Sequence, residues 1–234
     1  MSAIVCAWSK KWVVIGADSR LTVVKRGPGG EYRWFSDREE KVFVTRSGRV
    51  ALGYAGPAVI NGIPTSFTIR DVLRARLIDE QQPADALRLL KRMFLKDSEH
   101  DDCLPRGLFL IAGGFVDEKP CCSYLHNSDL TIPNIKRGFA ANQPRVESRR
   151  WILQHSRQEL AKFVERHVRS QHDVFSCGVT GGPTDILALS IHGYIWISRK
   201  SSPIIARTQS ELFEQVCTNP MACFTADGNE EFGG

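Results

Sequence analysis

A hydroxyl residue and a carboxylate stand at the two ends of a predicted hairpin. Ser2 comes directly before the strand-like segment 3–8 (AIVCAW), and Asp18 ends the similar segment 12–18 (WVVIGAD). If the hairpin turns about Lys10, residues whose numbers sum to twenty face one another, so we expect Ser2 to lie opposite Asp18. Facing Cβ atoms sit about 4.5–5.5 Å apart, close enough for both groups to share one small polar site.

An N-terminal serine would bring its own base to this site. Loss of Met1 would expose Ser2, and a free α-amino group has an unperturbed pKa of about 7.7–8.0, so it can be largely neutral near working pH. A hydroxyl is a weak nucleophile at its free pKa, and an adjacent amine can activate it. Lys41 opens a later strand-like segment; its charge could stabilise the developing alkoxide and lower the pKa of the amine, while Asp18 holds the lysine in place. These three residues would suffice for an activated serine nucleophile.

The elements that must position these groups come in strand-like and helix-like blocks. A polar, glycine-rich loop at 27–30 leads to a second predicted hairpin, and helical patterns, further strands, one long helix and a last hairpin follow. The predicted strands of these blocks are 41–45, 49–54, 107–115, 122–126, 185–191 and 194–198, the predicted helices are 68–79, 84–96 and 147–169, and 137–142 is predicted as a turn. This order predicts an α+β fold, a four-layer αββα sandwich of two antiparallel sheets between helices, in a single domain over residues 1–234.

Composition argues against several classes of function. The formal charge of +5 is mild and the basic residues are mixed with acidic ones, so we expect no nucleic-acid partner. No apolar run approaches the roughly 18 residues that a membrane span needs, and no secretory signal is recognisable, so we expect a cytoplasmic protein without a membrane partner. The seven cysteines form no CxxC pairs and the histidines have no metal-ligand spacing, so we predict reduced thiols, no metal and no cofactor.

Four short motifs, in order along the chain, resemble those of one known family. They are Ser2 and the runs GADSR at 16–20, EKVFV at 40–44 and YAGPA at 54–58. With the strand and helix pattern of nearly the whole chain, they are similar to the proteasome β-subunit family of N-terminal-nucleophile hydrolases and to bacterial members such as HslV. The resemblance implies the αββα fold of that family and a peptidase in which Ser2 takes the place of the usual threonine.

The resemblance also implies roles for individual residues and partners. Asp18 and Lys41 would complete the site of the nucleophile, the backbone around Gly56 would bind substrate and supply an oxyanion N–H, and Thr180 would lie at a further substrate-binding turn. The implied substrate is a peptide or protein. The implied assembly is a homo-oligomeric ring that encloses the sites and can be fed by an ATPase unfoldase.

Two departures from the family pattern keep other functions open. The stretch 138–142 (GFAAN) lacks the serine that the family places before its long helix. The family's supporting pair of an aspartate and a hydroxyl residue matches either Asp173 with Ser176 or Cys177 with Thr180, and the second match has a cysteine where the aspartate belongs. A catalytically silent structural subunit of such a ring is therefore one alternative, and a small-molecule amidase of the same fold is another.

Overall fold

A computed structural model describes most of the chain in atomic detail. The residues described are 2–27, 30–75, 82–95, 107–126, 129–132, 138–142, 155–174, 181–200, 206–218 and 223–224. The strands among them are β1 (Ile4–Trp8), β2 (Val13–Asp18), β3 (Leu21–Gly27), β4 (Gly30–Ser36), β5 (Val42–Val44), β6 (Val50–Ala55), β7 (Val59–Ile60), β8 (Ile63–Pro64), β9 (Phe109–Val116), β10 (Lys119–His126), β11 (Asp129–Thr131), β12 (Phe139–Ala141), β13 (Thr184–Ser190), β14 (Gly193–Ser198) and β15 (Cys223–Phe224). The helices are α1 (Thr65–Arg74), α2 (Pro83–Leu95), α3 (Arg157–Val174) and α4 (Gln209–Thr218).

Two five-stranded antiparallel sheets form the centre of this mixed α+β structure. The first sheet has the strand order β12-β1-β2-β13-β14, and the second has the order β11-β10-β9-β6-β5. Strands β3, β4 and β15 make a separate three-stranded sheet, and β7 pairs with β8. Both large sheets alternate their side chains between two faces, so each can pack on both sides.

Three buried clusters show which layers are in contact. Apolar side chains of both large sheets, among them Ile15 and Ile111, form a core between the sheets. The other face of the first sheet packs against α3 through Val164 and its neighbours, and the other face of the second sheet packs against α1 and α2 through Ile69 and Leu87. The layers therefore follow one another as helices, sheet, sheet and helix, in agreement with the predicted order.

The first hairpin forms as predicted, but its register differs by one residue. Strand β1 pairs with β2 so that Ile4 faces Ala17 and Trp8 faces Val13, which makes facing numbers sum to twenty-one. The Ser9 N–H donates to the Trp12 carbonyl at 2.8 Å, so the turn is closed around two lysines rather than centred on one. The prediction that Ser2 faces Asp18 is therefore wrong, because a tight two-residue turn replaces the expected three-residue one.

Several predicted element bounds also need correction. Residues 21–27 and 30–36, which flank the glycine-rich loop, form the strands β3 and β4, and part of the predicted turn at 137–142 is the edge strand β12. Helix α3 begins at Arg157, where Ser156 and Glu159 form a reciprocal capping box with side-chain bonds of 2.7–3.3 Å, and it continues beyond the predicted end at residue 169. Residues 147–154 of the predicted helix lie outside the described residues. No helix among the described residues is long and apolar enough to cross a membrane.

Candidate functional site

Lys41 lies at the centre of a buried polar cluster at one end of the two sheets. The residue directly precedes β5, and its carbonyl accepts a hydrogen bond from the Tyr54 N–H at 3.2 Å. Its Nζ donates to the Ser2 Oγ at 2.8 Å, to the Asp18 Oδ1 at 3.2 Å and to the Arg20 carbonyl. Lys41 is only 2% exposed, and each of the three N–H groups of its ammonium has an acceptor.

Asp18 ends β2 and is held by backbone donors from two directions. Its Oδ1 accepts the Ala3 N–H at 2.8 Å, and its Oδ2 accepts the Gly181 N–H at 3.2 Å. The Asp18 N–H in turn donates to the Ala3 carbonyl at 3.1 Å, so Ala3 and not Ser2 is its partner across the hairpin. Ser2 and Asp18 still belong to one site, because Lys41 reaches over from the second sheet and bonds to both.

The main chain of Ser2 is held in place by Asn142. The Asn142 Nδ2 donates to the Ser2 carbonyl at 2.6 Å, and the Asn142 Oδ1 accepts the Ile4 N–H at 3.0 Å. Ser2 itself is 6% exposed. No local sequence pattern marks this asparagine, because residues 138–142 resemble a turn, whereas pairing of β12 with β1 places Asn142 beside the beginning of β1.

The residues after Asp18 form a clamp that fixes the segment leading to Lys41. Arg20 makes a bidentate pair with Asp37, with Nε to Oδ1 at 2.7 Å and Nη2 to Oδ2 at 3.0 Å. The Ser19 hydroxyl lies 3.0 Å from the Asp37 carbonyl, and the Ser19 carbonyl accepts the Glu39 N–H at 3.0 Å. In the predicted motif at 18–20, Asp18 therefore binds the lysine, while Ser19 and Arg20 hold the segment around Asp37. The sequence motif alone does not separate these two roles.

A second carboxyl group, Glu39, is buried close to this cluster. Burial raises its pKa above the ordinary value, and a hydrogen bond from Tyr54 and the charges of Arg70 and Lys41 oppose that rise. The Tyr54 hydroxyl donates to the Glu39 Oε1 at 2.7 Å, and burial raises the pKa of this hydroxyl well above its usual value. The tyrosine is therefore a neutral donor at physiological pH. Glu39 was not among the predicted site residues, because a glutamate before a strand is more often solvated.

Gly56 occupies a position at which a side chain would not fit. Its φ of +122° is one that residues with a Cβ rarely adopt, and an added Cβ would lie 2.4 Å from the Gly107 carbonyl oxygen. It follows the end of β6, two residues beyond Tyr54, whose N–H is bonded to Lys41. The turn therefore lies at the same end of the second sheet as the lysine.

The other predicted substrate-binding residue, Thr180, lies outside the described residues, as do Ser176 and Cys177. Asp173 belongs to α3. The next residues after Thr180 are described, and Gly181 contributes the N–H that binds Asp18. An added Cβ on Gly181 would lie 2.5 Å from the Arg20 Cζ, so the glycine allows the close approach of that guanidinium.

In chemical terms, the site combines a hydroxyl, a lysine that donates to it and a buried carboxylate that orients the lysine. Among the residues described, no group of three or more His, Cys, Asp or Glu side chains is arranged to hold a metal ion. Comparison of the chain with protein-family models and with curated proteins finds no match.

Proposed function

We propose that the protein is an N-terminal-nucleophile peptidase of the proteasome β-subunit type, with Ser2 as the nucleophile after removal of Met1. The observation that carries the proposal is the buried contact of 2.8 Å between the Lys41 Nζ and the Ser2 Oγ, made while the same lysine is paired with Asp18. A lysine in this position has a direct effect on an attacking oxygen, because its positive charge stabilises negative charge that develops there.

In the proposed reaction, the Ser2 Oγ attacks the carbonyl carbon of a peptide bond. The free α-amine of Ser2 takes the hydroxyl proton and passes it to the leaving amide nitrogen, so that the C–N bond breaks as an ester forms on Oγ. A water molecule then attacks the ester, the amine accepts one of its protons, and the carboxylic acid leaves as Oγ regains a proton. The cycle consumes one water and restores the enzyme.

The neighbouring residues have distinct parts in this scheme. Lys41 donates a hydrogen bond to Oγ throughout, which leaves the hydroxyl hydrogen of Ser2 to point towards its base. Asp18 positions the lysine, and the Arg20–Asp37 pair joins the residues just after Asp18 to the segment that leads into Lys41. Asn142 holds the Ser2 carbonyl and so limits rotation of the residue that carries both nucleophile and base.

The family resemblance supports further parts of the proposal. The backbone at Gly56 would supply the oxyanion N–H, Thr180 would contact substrate, and the substrate would be a peptide or protein. The active form would be a cytoplasmic homo-oligomeric ring with an ATPase unfoldase as a possible partner. The layer order of helices around two antiparallel sheets supports the N-terminal-nucleophile hydrolase fold, since that fold has the same layers.

A catalytically silent structural subunit is the second candidate. Ser2 is almost completely buried, and a nucleophile must be reached by its substrate. Removal of Met1 would have to open the site for the first proposal to hold. An amidase for small molecules would use the same groups and would differ only in the amides it accepts.

One experiment tests the reaction. The purified protein is analysed by intact mass, treated with an electrophilic β-lactone and digested to locate the adduct. We expect loss of Met1 and a covalent adduct on Ser2, with no adduct in Ser2→Ala and an adduct in Ser2→Thr, which has the same nucleophilic oxygen.

The possible results separate the candidates. Retention of Met1 would contradict the amine-base mechanism. A free Ser2 that does not react would favour the silent subunit, and turnover of small amides without cleavage of a peptide library would favour the amidase.

A further inference from the structure

A cavity on the open side of the two sheets has the composition of a binding site for an anion. It has a volume of about 240 Å³ and lies between β5, β14 and α1. Both strands are edge strands of their sheets among the described residues, so no further strand closes this side. The cavity is separate from the Ser2 hydroxyl and is not used in the mechanism above.

The charge of the cavity wall is strongly unbalanced. Its charged residues are Glu40 and three arginines, Arg70, Arg74 and Arg199. The carboxylate of Glu40 is shared, with Oε2 accepting from the Arg70 Nε at 3.1 Å and Oε1 accepting from the Arg199 Nη2 at 3.0 Å. Three guanidinium charges face one carboxylate charge, so the wall has an excess of positive charge, and the planar guanidinium group suits a planar carboxylate.

Apolar and aromatic groups form the remainder of the wall. Phe43 and Trp196 contribute their rings, and the guanidinium of Arg199 lies 4.8 Å from the centre of the Trp196 ring. Arg70 is 5.9 Å from the centre of the Phe43 ring. The rings hold two of the arginines in place and at the same time provide a surface on which an apolar group can pack.

We propose that this cavity binds a carboxylate carried on an apolar or aromatic body, with the carboxylate on the arginines and the body between the rings. A cavity of this volume accepts such a molecule, whereas an inorganic oxyanion would leave the aromatic walls without contact. The source is either a free organic acid or an acidic peptide with an aromatic residue. Occupancy has a route to the neighbouring site, because Arg70 and Arg199 hold Glu40, the residue before Lys41.

The binding test uses the full chain and the aromatic acid phenylacetate. Binding is measured by calorimetry and by NMR shifts of tryptophan side-chain N–H groups, with phenylacetamide as the neutral analogue and inorganic phosphate as the anion without an apolar body. We expect phenylacetate to bind at least about tenfold more tightly than either, since charge-assisted bonds to arginine and ring contacts each contribute. Equal binding of phenylacetamide, or tighter binding of phosphate, would overturn the proposal.

Two arginine variants test whether phenylacetate binds in this cavity. Arg74→Gln removes a charge that makes no ion pair with an acidic residue in the described part of the chain, and Arg199→Gln removes a direct partner of Glu40. We expect each to weaken phenylacetate binding about tenfold, because each removes a charged donor. Arg88→Gln, which removes the exposed partner of Asp85 on α2, is the control and should bind as the unmodified protein does. Unchanged binding in both cavity variants would overturn the proposal, and Arg74→Gln keeps this test valid if Arg199→Gln misfolds.

A pair of peptides distinguishes the two sources. N-acetyl-Phe-Glu-amide is compared with N-acetyl-Phe-Gln-amide and with phenylacetate. Tighter binding of the glutamate peptide than of phenylacetate supports a peptide as the natural source, and the reverse supports a free acid. Equal and measurable binding of the two peptides would contradict recognition of a carboxylate, whereas binding of phenylacetate alone supports a free acid.

Discussion

The side-chain amide of Asn142 bonds to the carbonyl of Ser2 at 2.6 Å and to the N–H of Ile4 at 3.0 Å, so one side chain fixes both sides of Ala3. This contact joins the edge strand β12 to the first residues of the chain that could do chemistry. It also has a conservative test, because leucine has a similar shape and cannot make either bond.

Asn142→Leu should therefore reduce the reactivity of Ser2 more than it reduces stability. We expect the rate of β-lactone labelling to fall about tenfold or more, while the free energy of unfolding falls by about 1–3 kcal/mol from two unpaired backbone groups. Labelling kinetics and urea unfolding are the two measurements. A loss of stability without any change in labelling would show that Asn142 has only a structural role.

Two variants of Lys41 should separate its effect on the free energy of unfolding from its effect on the reactivity of Ser2. Lys41→Met leaves the buried carboxylate of Asp18 without its charged partner, and such a loss costs about 3–5 kcal/mol. The double variant Lys41→Met with Asp18→Asn removes both charges and should recover part of that stability. Neither variant should be labelled at Ser2, because neither supplies a positive charge to Oγ. Labelling of the double variant at the normal rate would contradict the role of Lys41.

The buried carboxyl group of Glu39 should make the stability of the protein depend on pH. Its folded-state pKa is raised above 4.5, chiefly by burial, so its contribution to stability is present below that pH and is lost as the pH rises through the folded-state pKa. Glu39→Gln cannot ionise, so the variant does not lose stability at this position as the pH rises, and its amide oxygen still accepts the hydrogen bond from Tyr54. We expect the variant to gain stability relative to the original protein between pH 4 and pH 8, measured by urea unfolding.

A surface glutamate supplies the control for this series. Hydrogen bonds from Ser156 lower the pKa of Glu159, so its contribution has the opposite sign and is lost as the pH falls. Glu159→Gln should therefore lose stability relative to the original protein at pH 8 and not at low pH. The same direction in both variants would show that the Glu39 assignment is wrong.

His167 should destabilise the protein in mild acid. Burial lowers the pKa of His167 to about 4, so the unfolded chain binds a proton below about pH 6.5 that the folded chain does not accept. Its stabilising contribution is complete above that pH and is lost as the pH falls towards 4, by at most about 3 kcal/mol. In His167→Gln, the free energy of unfolding should change less with pH over this range. His192→Gln, on the exposed β13–β14 turn, should leave that pH dependence as it is in the original protein.

Gly56 and Gly62 form a matched pair for a backbone test. Both have positive φ values, of +122° and +75°, but an added Cβ at Gly56 meets the Gly107 carbonyl and one at Gly62 meets nothing within 4 Å. Gly62→Ala should cost about 1 kcal/mol from conformation alone, and Gly56→Ala should cost several times more because the backbone must also move. Equal melting temperatures would mean that the Gly56 turn relaxes without cost.

The sequence predicts those parts of the fold that depend on local pattern. Apolar alternation and turn residues identified both hairpins of the first half, and Pro83 marked the beginning of α2. The strands β3, β4 and β12 were missed. Residues 27–30 (GPGG) were interpreted as a loop, and the segments on either side of them were not assigned to strands. Strand β12 is only three residues long, and its pairing with β1 is a tertiary contact that no local pattern encodes.

The candidate site was predicted for a partly incorrect reason. Ser2, Asp18 and Lys41 do lie together, yet the predicted hairpin register was wrong by one residue and would have placed the first two directly opposite each other. Lys41 connects them from the other sheet. Turn length decides register, and a sequence of two adjacent lysines gives little information about whether the turn has two or three residues.

The outer edge of the first sheet affects how the protein behaves at high concentration. Strand β14 has a strand neighbour on one side only among the described residues, and it carries exposed Tyr194, Ile195 and Ile197. β-Branched and aromatic residues on an open edge favour intermolecular strand pairing, which is a first step in aggregation. Lys200 follows this strand directly and adds a charge beside the open edge, so Lys200→Gln should lower the solubility limit of the folded protein before it changes the melting temperature.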